Sequence, residues 1–164
     1  MFYDLAILII RVVIGLTVAA HGAQKLFGAF GGPGLAGVTG WLASMRLRPA
    51  RVWALVAGLS EFGGGLLMAL GLLGPLGPLG VIATMAVAIT AVHWGRFFNS
   101  SQGIEFPLTL LAGALAILVG GVGAYSLDAL LGLTLPEPLT SLGGLVLVII
   151  GVVLTFVTRA PATA

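Results

Sequence analysis

A histidine and a lysine stand four residues apart, His21 and Lys25, in the stretch TVAAHGAQKLFG that closes a long apolar run. On a helix, residues i and i+4 share a face, so an imidazole and an ammonium are presented together. Glu61, His93, Arg96 and Glu105 are further polar groups set in or beside apolar runs. Nitrogen donors of this kind suit hydrogen bonding to the carbonyls of a quinone or another small ligand, and the carboxylates suit proton relay. Arg11, Tyr125 and Asp128 form a second, smaller polar set. Arg11 and Glu61 are the costliest, because a charge at the centre of a membrane-crossing helix costs roughly 2.5–3.5 kcal/mol on insertion scales. Such groups face the interior of a bundle and find partners there. Each candidate also has a plain structural reading: a histidine satisfied within the bundle, Lys25 reaching to the headgroups, Arg96 as a topological anchor, Glu61 as half of an ion pair. Two histidines and two carboxylates suit iron, manganese or zinc, but no ExxH or HExxH pairing is present, and no metal is expected.

The elements that must position these groups follow from composition. Seven Lys and Arg and five Asp and Glu make the 164-residue chain 7% charged and 59% hydrophobic, where a soluble domain carries roughly 25% charge. Mean hydropathy is +1.19. The class is all-α integral membrane protein, expected to cross the membrane several times. With no cysteine, disulfides, thiol redox chemistry, iron–sulfur ligation and thiolate zinc sites are excluded. No haem, flavin, nucleotide or iron–sulfur motif occurs in a workable setting, so a diffusible quinone or a partner would have to carry electrons. The net charge of +2 offers no basic face for nucleic acid. The amino end, MFYDLAILIIRVV, lacks a basic n-region and carries Asp4, so the first segment is expected to stay as a span rather than be cleaved.

About 20 apolar residues cross roughly 30 Å of hydrocarbon, and five segments approach that: Leu5–Phe27, Val52–Leu73, Leu79–Phe98, Ile104–Gly120 and Leu139–Val157. FGGPGLAG, LGPLGPLG, NSSQG and LTLPEP separate them, with Asn99 or Ser100 a candidate cap for the fourth helix. Trp41 and the arginines at 46, 48 and 51 suit a short interfacial helix or an amphipathic loop between the first two spans. Many of the 26 glycines lie inside the spans, where small residues let helices approach closely. Lys25, Arg46, Arg48, Arg51, Arg96 and Arg159 all fall on one side if the amino terminus is outside and the carboxyl terminus cytoplasmic, which is the expected orientation. Counting residues from the cytoplasmic ends then places His21, Glu61, His93 and Glu105 in one half of the bundle, with Lys25 and Arg96 at its mouth.

Three stretches together resemble the DoxX family of small bacterial and archaeal membrane proteins: LIIRVVIGLTVAAHGAQKLFG, LSEFGGGLLMALGLL and GIEFPLTLLAGALAILVGGVGAYSLD. The resemblance covers roughly residues 5 to 128 and implies a four-helix membrane bundle. The expected division is therefore a DoxX-like core over 1–128, including the loop 28–50, and a linker with an additional membrane helix over 129–164. The family name is attached to membrane subunits of quinone-linked oxidation of sulfur compounds and to partners of soluble redox enzymes. The leading functional expectation is a quinone-interacting membrane subunit of an oxidoreductase, itself catalytic or not. The alternatives are a non-enzymatic scaffold or assembly partner for soluble redox enzymes, docking through Arg46–Arg51, and, third, a small-solute or proton transporter using Glu61. Assembly into a homo-oligomer is compatible with the sequence.

Overall fold

The computed structural model describes residues 2–161. Seven α-helices account for most of them: α1 (Phe2–Phe27), α2 (Gly34–Ser44), α3 (Ala50–Leu70), α4 (Leu76–Val87, continued by a π turn over Ala88–Val92), α5 (Glu105–Gly120), α6 (Leu127–Leu131) and α7 (Leu139–Val157). The chain is a helical membrane bundle. α1, α3 and α7 are long and apolar enough to cross a membrane, while Leu76–Val92 and Glu105–Gly120 are shorter apolar helices.

Packing runs in a closed ring, α1 on α3, α3 on α4, α4 on α5 and α5 back on α1. Consecutive helices in that ring are antiparallel, the arrangement short connections favour. Glycines set the spacing. A Cβ on Gly15 would lie 2.6 Å from the carbonyl oxygen of Gly65, and Gly64 and Gly80 face each other between α3 and α4. Around these contacts Ile7, Val18, Met68, Val81, Ile82, Met85, Leu110, Ala114 and Ile117 form the main core. The outward side chains are as apolar as the core: Val13, Leu59, Val119, Leu147 and Ile149 are all exposed, as a lipid-facing surface requires.

Between the first two spans, where the sequence allows either a short helix or an amphipathic loop, the chain forms the helix α2. It buries Val38 and Leu42 against Leu47 and Ala54, making a small second core at the amino end of α3. α7 lies outside the ring, on α4. Gly144 receives the side chain of Leu79, and the carboxyl end of α7 is tied down by a short antiparallel pairing. Arg48 N–H donates to the Thr158 carbonyl at 3.1 Å and Ala160 N–H to the Arg46 carbonyl at 2.9 Å, with Leu47 opposite Arg159. The end of α7 therefore meets the α2–α3 connection. Arg46, Arg48, Arg51, Arg96 and Arg159 all belong to this basic end of the bundle.

Two local expectations are corrected. The third span was expected to reach Phe98, but the helix stops at Val92, where His93 N–H turns back to the Ala88 carbonyl. Trp94, Phe97 and Phe98 keep the hydropathy high beyond that point, yet they are exposed residues of the connection. Neither Asn99 nor Ser100 caps α5, whose N-cap is Ile104 with no side-chain bond. Instead the Glu105 carboxylate accepts the Asn99 backbone N–H at 2.8 Å.

Candidate functional site

Glu61 is the centre of the candidate site. It lies on the face of α3 that carries Ala54, Gly58, Gly64, Gly65 and Met68, all buried, and is itself 4% exposed. Its partner is Lys25, whose ammonium is bonded to Oε1. The other carboxylate oxygen, Oε2, is buried with no hydrogen-bond partner. Hydrocarbon offers nothing to such an oxygen, and an unmatched buried acceptor costs of order 1–3 kcal/mol.

The register of α1 on α3 explains why Lys25 is the cation that reaches Glu61. Gly22 meets Phe62 and Leu26 covers Gly58, so Glu61 stands level with the last two turns of α1. α3 extends past the end of α1 by two turns, to Ala50. Counting from the end of its own helix therefore makes Glu61 look deeper than it stands beside α1. Lys25, with a side chain 30% exposed against 5% for Glu61, spans from the mouth to the carboxylate.

His21 lies one turn before Lys25 and is exposed on the surface between α1 and α5, its ring edge-on to Phe106 at 5.6 Å between centroids. His93 and Glu105 serve the α4–α5 connection. His93 Nδ1 is 2.6 Å from the Gln102 carbonyl, to which it donates. Arg96 donates to the Ser101 carbonyl at 3.3 Å. The six candidates thus fall into three neighbouring pieces at the basic end: the Lys25–Glu61 pair, His21 with Phe106, and the loop of His93, Arg96 and Glu105. Among the described residues no hydrogen bond or ion pair joins His21, His93 or Glu105 to Glu61, and no three metal-ligating side chains gather in one place.

The secondary set lies at the other end. Arg11, 2% exposed, donates through Nη2 to the Tyr125 backbone carbonyl, not to the phenol. Its guanidinium packs on Gly71, where any Cβ would collide with Nη1 and where φ is +62°. Asp128 accepts the N–H groups of Leu73 at 2.8 Å and Gly74 at 2.6 Å and donates its own N–H to the Gly71 carbonyl at 3.0 Å. Arg11 and Asp128 together clasp the α5–α6 segment onto the α3–α4 turn. Sequence reasoning grouped the three residues but missed Gly71, Leu73 and Gly74, whose part is played by backbone. A cavity of about 550 Å³ opens beneath this clasp, bordered by Gly74, Ser126, Asp128 and Glu137.

No curated protein and no solved structure matches the chain. The DoxX family model matches residues 6–94, 89 of the 164. That span contains α1 to α4 with Arg11, His21, Lys25, Glu61 and His93; Glu105, Tyr125, Asp128 and α7 follow it. With the match running unbroken through the helices that build the Lys25–Glu61 pair, the chain belongs to the DoxX family.

Proposed function

We propose that this protein is the membrane subunit of a quinone-linked redox system in a prokaryotic plasma membrane, with its basic end cytoplasmic. The observation that carries the reading is the buried Lys25–Glu61 pair, in which Glu61 Oε2 is buried without a hydrogen-bond partner. A buried oxygen without a partner beside an ammonium is a place for a ligand group that both donates and accepts, as the hydroxyl of a quinol does; the carbonyl of a quinone only accepts, from the Lys25 ammonium. His21 and Phe106 form the adjoining surface on the lipid side, where a ring arriving from the bilayer stacks and finds a nitrogen. The isoprenoid tail needs only apolar helix surface, which α1 and α5 provide. Glu61 is placed to exchange a proton with the bound ring and Lys25 to return it to the mouth. The chain's own side chains bind and move protons; electrons pass to or from a partner enzyme.

The test is retention. Protein purified in mild detergent is extracted and its quinone measured, alongside thermal stability, for the wild type, His21→Ala and Glu61→Gln. Retained quinone in the wild type, lowered at least several-fold in both variants with the bundle still folded, supports the reading. Loss of stability with unchanged quinone content leaves a structural pair.

A second reading, a scaffold for a soluble redox enzyme, is favoured by the α4–α5 connection. His93 and Glu105 brace it internally while Trp94, Phe97 and Phe98 remain exposed, a preformed aromatic surface at the basic end. Cross-linking from residue 97 to a co-purifying enzyme, with no quinone bound, would favour this second reading.

A further inference from the structure

We infer that the connection between α2 and α3 is a binding site for anionic phospholipid headgroups, and that the carboxyl-terminal segment after α7 holds it in shape. The argument begins with the backbone. Residues 46–48 pair with 158–160 through two main-chain hydrogen bonds. Leu47 is 4% exposed and enters the small core with Val38, Leu42 and Ala54. Arg46 and Arg48, on either side of it, are both exposed. Arg51, in the first turn of α3, is exposed beside them. Among the described residues none of the three makes an ion pair, and Glu61 is committed to Lys25.

Arg46 stands where a long side chain is disfavoured. It follows the last turn of α2 with φ of +65°, and the Leu47 N–H turns back to the Leu42 carbonyl, a helix ending in which glycine is the usual occupant. Three forks of guanidinium donors, held by backbone and free of carboxylates, match phosphate oxygens, which accept such forks in pairs. The source of the phosphate is fixed by level. Trp41 is exposed on α2, and Trp53, two residues after Arg51 in α3, donates from its indole N–H to the Thr158 hydroxyl at 3.0 Å. Indole rings of this kind sit at the headgroup layer of a bilayer, which puts the arginines among lipid phosphates rather than above them. Arg159, reaching the Ala91 carbonyl at 3.2 Å, fastens the carboxyl-terminal segment to the end of α4. The site thus joins part of the family-matched region to the carboxyl-terminal segment beyond it, and it is independent of the quinone reading.

All three tryptophans, Trp41, Trp53 and Trp94, lie at this end and serve as the probe. The full chain is reconstituted in vesicles of equal phosphatidylglycerol and phosphatidylcholine, in which one lipid or the other carries brominated chains. Brominated phosphatidylglycerol should quench tryptophan emission more than brominated phosphatidylcholine, corresponding to an about tenfold preference for the anionic lipid in low salt that shrinks as salt is raised. The R46Q/R48Q/R51Q variant should quench equally with both lipids, its helix content unchanged because all three side chains are exposed. Ala160→Pro, which removes one pairing N–H, should reduce the preference part of the way, and Arg96→Gln should leave it. Equal quenching by both lipids in the wild type would hand these arginines to an acidic protein partner and overturn the proposal. A preference undiminished in the triple glutamine variant would overturn it as well.

Discussion

Lys25 and Glu61 are not equivalent halves of one interaction. Glu61 is fixed on the buried face of α3, while Lys25 sits near the end of α1 on a flexible stem. Removing the lysine leaves a carboxylate with no route to water; removing the carboxylate leaves an ammonium that can swing out to the headgroups. Breaking a fully buried pair costs about 3–5 kcal/mol, and a partner with solvent access lowers that figure. Lys25→Met should therefore destabilise the bundle by about 3 kcal/mol, Glu61→Gln by about 1 kcal/mol, and the double variant by less than Lys25→Met alone. Thermal unfolding of the four proteins in one detergent gives all three differences. A double variant as unstable as the sum of the singles would mean that the two side chains do not act as a pair. That Glu61 needs a cation was legible in the sequence, because hydrocarbon cannot satisfy it. Which cation was not, since counting depth left His21, Lys25 and His93 all on its side of the bundle, and only the register of Gly22 on Phe62 selects Lys25.

Helices were legible as apolar runs, and four of the five spans end within about three residues of where the sequence puts them. The exception, at Val92, shows what hydropathy does not see: Trp94, Phe97 and Phe98 are apolar, but the connection is held by the Gln102 and Asn99 bonds to His93 and Glu105. The glycines were legible as a class, as small residues for close packing, while the individual contacts were not. Gly15 and Gly65 touch across α1 and α3, whereas Gly63, two residues from Gly65 in sequence, meets nothing within 4 Å. Without a hydrophobic driving force between helices in lipid, such close contact is a large part of what holds α1 to α3. Gly15→Ala and Gly65→Ala each force backbone apart and should cost about 1–3 kcal/mol. Gly63→Ala should be neutral or stabilising, by up to about 1 kcal/mol, from improved helix propensity. Equal effects at 63 and 65, measured by thermal unfolding, would contradict the packing of α1 on α3.

At the scale of the whole molecule, the ring of four helices and the outlying α7 make one topological statement that can be checked without knowing the ligand. The pairing of 46–48 with 158–160 requires the α2–α3 connection and the carboxyl-terminal segment to share a side of the membrane. The bond from Arg159 to Ala91 adds the end of α4 to that side. The clasp of Arg11 on Tyr125 and Asp128 on Leu73 and Gly74 gathers the α3–α4 turn and the α5–α6 segment at the opposite end. The basic loops then fall together, as the rule for positively charged loops demands of a cytoplasmic face. Because the chain contains no cysteine, single cysteines can be introduced without a background. Ser44→Cys, Ser100→Cys and Pro161→Cys should react with a membrane-impermeant maleimide only when the cytoplasmic side is opened, and Ala124→Cys and Thr134→Cys in intact cells whose outer barrier is permeabilised. The side itself rests on charge, while the grouping rests on main-chain and side-chain hydrogen bonds. Labelling of residues 44 and 161 from different sides would mean that α7 does not cross, and would dissolve the headgroup site together with the five-span bundle.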